Sequence, residues 1–275
     1  MVREAARVTI NVDPVIGSLG PFTFRWYGLI MALAVAVGVL IFSRALEHRN
    51  IGRQHAWGIA IVAVPCGVIG ARLVHVFENM GYYWDNPGEI FGTQLVGLAI
   101  YGVVGGGLVG LIIYCLWRKL PLFKVLDSTA LAFPVAQIIG KTANIINGDT
   151  WGLPTDLPWG ITYVNPASFI PDDLLGIPTH PNPIYEQLWL LVVVGILLVL
   201  IPRIKVAGIA FLLYVGLYSL GRFFLSYLRV NKIIALGLRE AQVIALITIV
   251  VAAALGYYLW WRDKHRQQAP TARGA

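Results

Sequence analysis

The segment 141–152, with the sequence KTANIINGDTWG, concentrates polar groups in a chain that otherwise consists of long apolar runs. It carries one cation, Lys141, two amides, Asn144 and Asn147, and one carboxylate, Asp149. Such groups are expensive at membrane depth unless they face a cavity and meet partners. The segment is therefore a candidate ligand site.

The spacing of these residues indicates what kind of site they form. Lys141, Asn144 and Asn147 follow each other at intervals of three, so on a continued helix they share one face. Gly148 and Gly152 then end the helix or let a ligand approach the backbone. The pattern predicts a cup of one cation and two amides, although each asparagine is equally suited to capping the turn.

Further cations lie inside apolar runs, where moving an Arg or Lys to the bilayer centre costs about 2.5–3.5 kcal/mol on insertion scales. With Lys141, these are Arg72 and Arg222. The helical segments offer few carboxylates, chiefly Glu186 and then Asp149. This excess of cations favours a phosphate ligand, which the planar fork of Arg suits. The alternative is a structural ion pair such as Arg222–Glu186.

Several other side chains are candidates for proton transfer or hydrogen bonding. His180, in the sequence HPNPIYE before the fifth apolar run, titrates near neutrality, and His75 lies one turn after Arg72. Tyr27 and Tyr101 are placed to donate hydrogen bonds to a lipid headgroup, or to act only as interfacial tyrosines. The sequence has no serine-hydrolase elbow, zinc-protease pair or nucleotide-binding loop, and we expect no metal and no cofactor.

The elements that position these residues are membrane helices. Of 275 residues, 57% are hydrophobic and 13% charged, and the mean hydropathy is +0.71. A soluble domain could not bury that much apolar surface, so the formal net charge of +7 does not indicate a nucleic-acid partner. Runs of about 20 apolar residues span a bilayer. Seven such runs predict an all-α integral membrane protein, with spans at 23–43, 56–77, 95–117, 125–142, 184–204, 206–227 and 240–261.

The basic residues predict the orientation of these spans. Lys and Arg are enriched in cytoplasmic loops. They cluster in every second connection and in the tail, at Arg44, Arg49, Arg53, Arg118, Lys119, Lys124, Arg203, Lys205, Arg262, Lys264, Arg266 and Arg273. The N-terminus is then outside and the C-terminus cytoplasmic, within one polytopic domain, 1–275, whose region 143–183 is an outer loop. Arg229 and Arg239 break the rule, because they lie in the last outer connection and add to the cations near the outer leaflet.

Short motifs along nearly the whole chain resemble those of the bacterial phosphatidylglycerol–prolipoprotein diacylglyceryl transferases. They are RWYG at 25–28, GAR at 70–72, GLAIYG at 97–102, NIINGDTWG at 144–152, HPNPIYE at 180–186, GRFF at 221–224, LR at 228–229 and GLREAQ at 237–242. Their order and spacing are specific, whereas each one alone is weak.

The resemblance implies seven spans in the bacterial inner membrane and a site open to the outer leaflet. It also implies transfer of the diacylglyceryl group of phosphatidylglycerol to the lipobox cysteine of a prolipoprotein signal peptide. Arg222, Lys141, Tyr101 and His180 are the catalytic candidates. The substrate-binding candidates are Tyr27, Arg72, Asn144, Asn147, Gly148, Asp149, Gly152, Glu186, Arg229 and Arg239.

Four positions depart from the family pattern. Lys141 stands in place of an Arg, Tyr101 in place of a His, and Asp149 and Ser226 in place of Glu. The alternative to an active transferase is a paralogue that binds an anionic lipid on the same scaffold without catalysis or with another specificity. The halves of the chain show no inverted repeat, which disfavours a transporter.

Overall fold

The computed structural model describes residues 8–20, 22–91, 100–230, 233–235 and 237–268. Eight α-helices are present in this part of the chain: α1 Trp26–His48, α2 Gln54–Glu78, α3 Met80–Asp85, α4 Ile100–Trp117, α5 Leu122–Asn147, α6 Asn182–Leu200, α7 Ile209–Leu225 and α8 Glu240–Gln268. The short strands are β1 Val8–Ile10, β2 Val15–Leu19, β3 Phe22–Arg25, β4 Ile161–Tyr163, β5 Ile233–Ala235 and β6 Leu238–Arg239.

Six of the helices in the described ranges are long and apolar enough to cross a membrane: α1, α2, α5, α6 with the turn that follows it, α7 with its last turn, and α8. The chain is therefore a helical membrane protein with several spans. The third predicted span corresponds to α4, whose apolar part, Gly102–Trp117, is shorter. Its first predicted residues, 95–99, lie outside the described residues, so seven spans and their orientation stay predictions.

The polar end of the fourth predicted span remains helical. Instead of stopping at 142, α5 runs over 26 residues through Pro134 and Lys141 to Asn147. The loop region predicted from 143 therefore begins at Gly148, which has a φ of +75°. A glycine in this left-handed conformation is a common helix terminator because it has no Cβ to clash.

The chain divides into two compact units. The first unit comprises residues 1–38 and 129–275, and the second comprises residues 39–128. In the second unit α2 packs along α4. Glycines make this possible, because a Cβ on Gly106 would lie 2.2 Å from the carbonyl oxygen of Cys66. Glycines of α4 thus serve close packing of this helix on α2.

In the first unit, α6 packs on α7 and α7 on α8. Ala130 of α5 packs on α6 and α7 in an apolar cluster with Val193, Leu197, Ala210 and Tyr214. A polar contact also joins α7 to α5, since the Tyr214 hydroxyl donates to Gln137 Oε1 at a distance of 3.0 Å. This core holds the polar end of α5 against α6 and α7.

Short strands occupy the segments between the helices of the first unit. β1 pairs in parallel with β4, while β2–β3 and β5–β6 are hairpins that precede α1 and α8. The sequence analysis did not predict them, because two to five residues are too few to show a periodic pattern. They fix the entry of α1 and of α8.

Candidate active site

Three cations from two helices and one turn converge on a single carboxylate. Glu186, in the second turn of α6, has a side chain that is only 7% exposed. Lys141 Nζ of α5 pairs with Glu186 Oε2. Glu186 Oε1 accepts from Arg222 Nη1 of α7 at 2.7 Å and from Arg229 Nη1, just past α7, at 3.0 Å. We call these four residues the cation cluster.

The cation cluster carries more positive than negative charge. Its cationic side chains are 15–19% exposed, so they are largely removed from water. A charge pair in such surroundings is screened little by the solvent. The alternative of an Arg222–Glu186 ion pair is thus present, but Glu186 neutralises only one of three cations. The remaining charge suits an anionic ligand.

A polar turn, residues 148–152, follows directly after α5. Asp149 accepts hydrogen bonds from Asn144 Nδ2 at 2.8 Å and from Asn147 Nδ2 at 3.3 Å. The two asparagines therefore hold the Asp149 carboxylate, a contact that the sequence analysis did not predict. Burial raises the pKa of Asp149, while both amide hydrogen bonds and the charge of Lys141 act in the opposite direction.

Gly152 lies where two other segments meet. A Cβ on Gly152 would lie 2.6 Å from His180 Cβ and 2.9 Å from the Leu228 carbonyl oxygen, so only glycine fits. Asn182 is fully buried, and its Nδ2 donates to the carbonyls of Trp151 and Leu228, each at a distance of 3.3 Å. These contacts hold the polar turn against the end of α7.

His180 lies beside Gly152, and its ring faces other aromatic groups. Its Nδ1 is 3.3 Å from the Tyr185 hydroxyl, which also accepts from Trp159 Nε1 at 2.8 Å. These partners orient the imidazole.

Arg239 supports the cluster from β6. Its guanidinium donates to the Ser226 carbonyl at 2.6 Å and to the Arg229 carbonyl, which fixes the turn that carries Arg229. The Ser226 hydroxyl donates to the Arg222 carbonyl at a distance of 2.6 Å. Although Ser226 provides no carboxylate one turn after Arg222, Glu186 does so from α6.

The remaining predicted site residues lie in two places. Tyr27, in the first turn of α1, is close enough to Asp149 to interact with its charge. Arg72 belongs to the second unit, where its guanidinium donates to the carbonyls of Ile90, at 2.9 Å, and Glu89. Tyr101 is in α4 of that unit, and its side chain lies outside the described residues.

The sequence analysis missed several residues that complete the site. Gln187, next to Glu186, donates to the Ile138 carbonyl at 2.8 Å and to Thr142 Oγ1 at 3.0 Å, which fixes α6 beside Lys141. Tyr163 donates to the Ile145 carbonyl at 2.9 Å. The position of Gln187 beside Glu186 was a signal for it, whereas nothing local marked Tyr163.

Comparison with known proteins identifies the family. A family model described as prolipoprotein diacylglyceryl transferase matches residues 14–258. The chain belongs to the prolipoprotein diacylglyceryl transferase family. Among curated relatives named phosphatidylglycerol–prolipoprotein diacylglyceryl transferase, the one from Dehalococcoides mccartyi is 36% identical over 93% of this chain and 96% of the relative. That from Clostridioides difficile is 34% identical over 92% and 98%.

A third relative of the same name, from Thermosynechococcus vestitus, is 33% identical over 90% of this chain and 92% of its own length. The matches cover both compact units of this diacylglyceryl transferase family member, including α5 to α7 with the cation cluster. The family resemblance inferred from the short motifs is confirmed.

Proposed function

We propose that this chain transfers the diacylglyceryl group of phosphatidylglycerol to the cysteine thiol of a prolipoprotein lipobox, the first step of lipoprotein maturation. Membership in the family and the names of the relatives support the activity. The multi-pass helices support a place in a membrane, which we propose is the bacterial inner membrane with the site open to its outer leaflet.

One observation carries the proposal: three cations share one buried carboxylate. In the transfer, the bond between the glyceryl CH₂ and the phosphate oxygen breaks, and a bond forms between that carbon and the cysteine sulfur. The bonding electrons leave with glycerol phosphate, so negative charge grows on the phosphate. Fixed positive groups that await this charge lower the barrier, because they need no reorganisation.

The cations have distinct parts in this proposal. Arg222 and Lys141 hold and neutralise the phosphate. Glu186 keeps these two cations close together before the substrate binds and after the product leaves. Arg229 donates to Glu186 Oε1, the oxygen that Arg222 also contacts, and Arg239 donates to the Arg229 carbonyl. Arg229 and Arg239 line the entrance of the site in this proposal. Positive charge around the bound cysteine also favours the thiolate, which is the nucleophile.

The amide cup binds the headgroup beside the phosphate. Asn144, Asn147 and Gly148 shape this cup, and Asp149 is held inside it by the two amides. Gly152 gives the backbone its close approach to the neighbouring segments. Tyr27 lies near Asp149 and is the hydroxyl donor from α1. The roles of Arg72 and Tyr101 stay predictions from the family resemblance.

The thiol proton requires an acceptor, and we propose His180. Its Nδ1 faces the Tyr185 hydroxyl, and its Nε2 accepts the proton as the sulfur attacks carbon. An imidazole within reach of the thiol is the side chain that most often serves as a general base. The enzyme then needs no nucleophile of its own.

Complementation tests the function. In cells depleted of their own transferase, expression of this chain should add a diacylglyceryl group to a reporter prolipoprotein, detected as an increase in mass. A reporter with its lipobox cysteine replaced by serine serves as the control and should stay unmodified. A well-expressed chain that leaves the reporter unmodified, yet retains phosphatidylglycerol on purification, would instead support the non-catalytic lipid-binding alternative.

A further inference from the structure

Two hydrogen-bond acceptors, one at the end of α5 and one in the polar turn, have no partner among the described residues. Asn147 Oδ1 and Thr150 Oγ1 are buried, and neither meets a donor in the part of the chain that the structure describes. The Asn147 amide nitrogen is engaged by Asp149, so its oxygen points elsewhere. Buried polar atoms are nearly always hydrogen-bonded in folded proteins, so such a pair requires an explanation.

Thr150 is also held in an unfavourable backbone conformation. Its φ is +61°, in the left-handed region, which is uncommon for any residue with a Cβ and an outlier for a β-branched one. Such conformations persist where the surrounding structure imposes them, and they cluster at ligand-binding sites. Gly148 takes the same sign of φ without this cost, so the strain falls on Thr150.

Phe169 contacts both the end of α5 and Arg25. Its backbone N donates to the Asn147 carbonyl at 2.8 Å, and the Arg25 guanidinium lies 4.9 Å from the centre of its ring. Arg25 Nη1 is buried and likewise has no partner among the described residues. Residues 147–150 themselves offer two such acceptors and the Asp149 carboxylate within a short stretch.

This set of groups matches a hydroxylated ligand. Hydroxyl groups carry a donor each and no charge, so they can satisfy the acceptors of residues 147–150 beside the cations. An ammonium group would also donate to these acceptors, but it would meet the positive charges of Lys141 and the rest of the cation cluster. Lys141 itself interacts with the Asp149 charge, which places the turn beside the proposed phosphate position.

We propose that Asn147 Oδ1, Asp149 and Thr150 Oγ1 form a subsite for the hydroxyl groups of the lipid headgroup, and that Thr150 determines the preference for a polyol headgroup. The inference rests on the proposed transfer reaction, in which the headgroup leaves with the phosphate. It assigns recognition of the diol to the polar turn and recognition of the phosphate to the cation cluster.

The experiment compares three donor lipids with identical acyl chains: phosphatidylglycerol, phosphatidylpropanol without free hydroxyls, and phosphatidylethanolamine. Purified wild-type protein and Thr150→Val, Thr150→Gly and Thr150→Ser variants are assayed for kcat/KM with a lipobox peptide. The wild type should prefer phosphatidylglycerol over phosphatidylpropanol by about tenfold to a hundredfold, the range expected for a lost hydrogen bond that leaves a buried partner unsatisfied.

Thr150→Val should lose most of this preference while it retains transfer from phosphatidylpropanol, and Thr150→Ser should keep the preference. Thr150→Gly suits the positive φ, so it tests the missing hydroxyl without a risk to folding. Thr23→Val, on the exposed β3, is the control and should match the wild type.

The possible failures are distinguishable. A wild-type protein without headgroup preference, or Thr150→Gly and Thr150→Val with the wild-type ratio, overturns the diol subsite while the transfer activity stands. Higher rates with phosphatidylethanolamine than with phosphatidylglycerol would assign the turn to an ammonium and also overturn it. Absence of transfer from all three lipids rejects the proposed function together with the inference.

Discussion

The two compact units use their polar residues in opposite ways. In the first unit, Lys141, Arg222 and Arg229 share the carboxylate of Glu186, so positive charge is left over. In the second unit, Arg72 donates to two backbone carbonyls, and glycines let α2 and α4 pack at close range. Cations that look alike in the sequence therefore differ in their partners, which are a shared carboxylate in the first unit and backbone carbonyls in the second.

Removal of the shared carboxylate should have the largest effect. In Glu186→Gln the three cations lose their common partner, and breaking a buried charge network in this way costs about 3–5 kcal/mol. Thermal unfolding in detergent measures the loss. The matched control is Glu89→Gln in the second unit, an exposed carboxylate that accepts from the Tyr82 hydroxyl, where we expect a change within about 0.5 kcal/mol. Equal effects at both sites would remove the contrast.

Loss of one cation should act on turnover. Arg222→Met is expected to lower kcat for diacylglyceryl transfer by about 10²–10³, the range found when one donor to a developing anion is deleted. Arg203→Met, at an exposed Arg near the end of α6, controls for the general loss of a positive charge. A drop of similar size in Arg203→Met would show that net charge, and not the cation cluster, governs the rate.

Close packing in the second unit predicts a glycine contrast within a single helix. Gly106→Ala in α4 places a Cβ 2.2 Å from the Cys66 carbonyl oxygen, and overpacking of this kind costs about 1–3 kcal/mol. Gly105→Ala is the neighbouring control, because its Cβ would meet no atom within 4 Å. The difference between their unfolding temperatures is the measurement, and identical values would contradict close packing.

Loss of the Arg72 side chain should loosen the segment whose carbonyls it contacts. Arg72→Met removes the hydrogen bonds to Glu89 and Ile90, and bonds to charged groups contribute about 1.5–3 kcal/mol each. Hydrogen exchange of the amides of residues 82–90 should accelerate by about tenfold or more. Arg118→Met, at an exposed Arg that stacks on Trp117, should leave that segment unchanged.

Lys141→Arg should have the smallest effect of these substitutions, and it should raise turnover, whereas Arg222→Met lowers it. A guanidinium presents two parallel donors to a phosphate, which an ammonium cannot do, so turnover should rise by about threefold. Single-turnover rates of reporter lipidation measure this. An unchanged rate would mean that Arg222 already provides the bidentate contact.

The sequence predicts the helices well, because their signal is local. Runs of apolar residues identify α1, α2, α6, α7 and α8 with boundaries shifted by a few residues, since helix ends depend on caps and turns. The end of α5 was placed five residues early because Lys141 and Asn144 interrupt the apolar run. Both remain helical, since Lys141 pairs with Glu186 of α6 and Asn144 donates to Asp149.

The site was predicted in its residue types and less well in its partners. Lys141, Arg222 and Glu186 stand out as charges inside apolar runs, yet nothing local indicates that one carboxylate serves three cations. Arg72 carries the same sequence signal, but its partners are backbone carbonyls, which every residue has. Asn182 looks like an ordinary helix cap and becomes informative only when its contacts with Trp151 and Leu228 are known.

The contacts of Asn182 also bear on when the protein becomes complete during its synthesis. The residues that Asn182 joins are separated from it by 31 and 46 positions, and Arg229 lies 43 positions after Glu186. The ribosome must therefore deliver the end of α7 before the segment after α5 has all its partners. Until then, Lys141 and Glu186 sit in the nascent chain without Arg222 and Arg229.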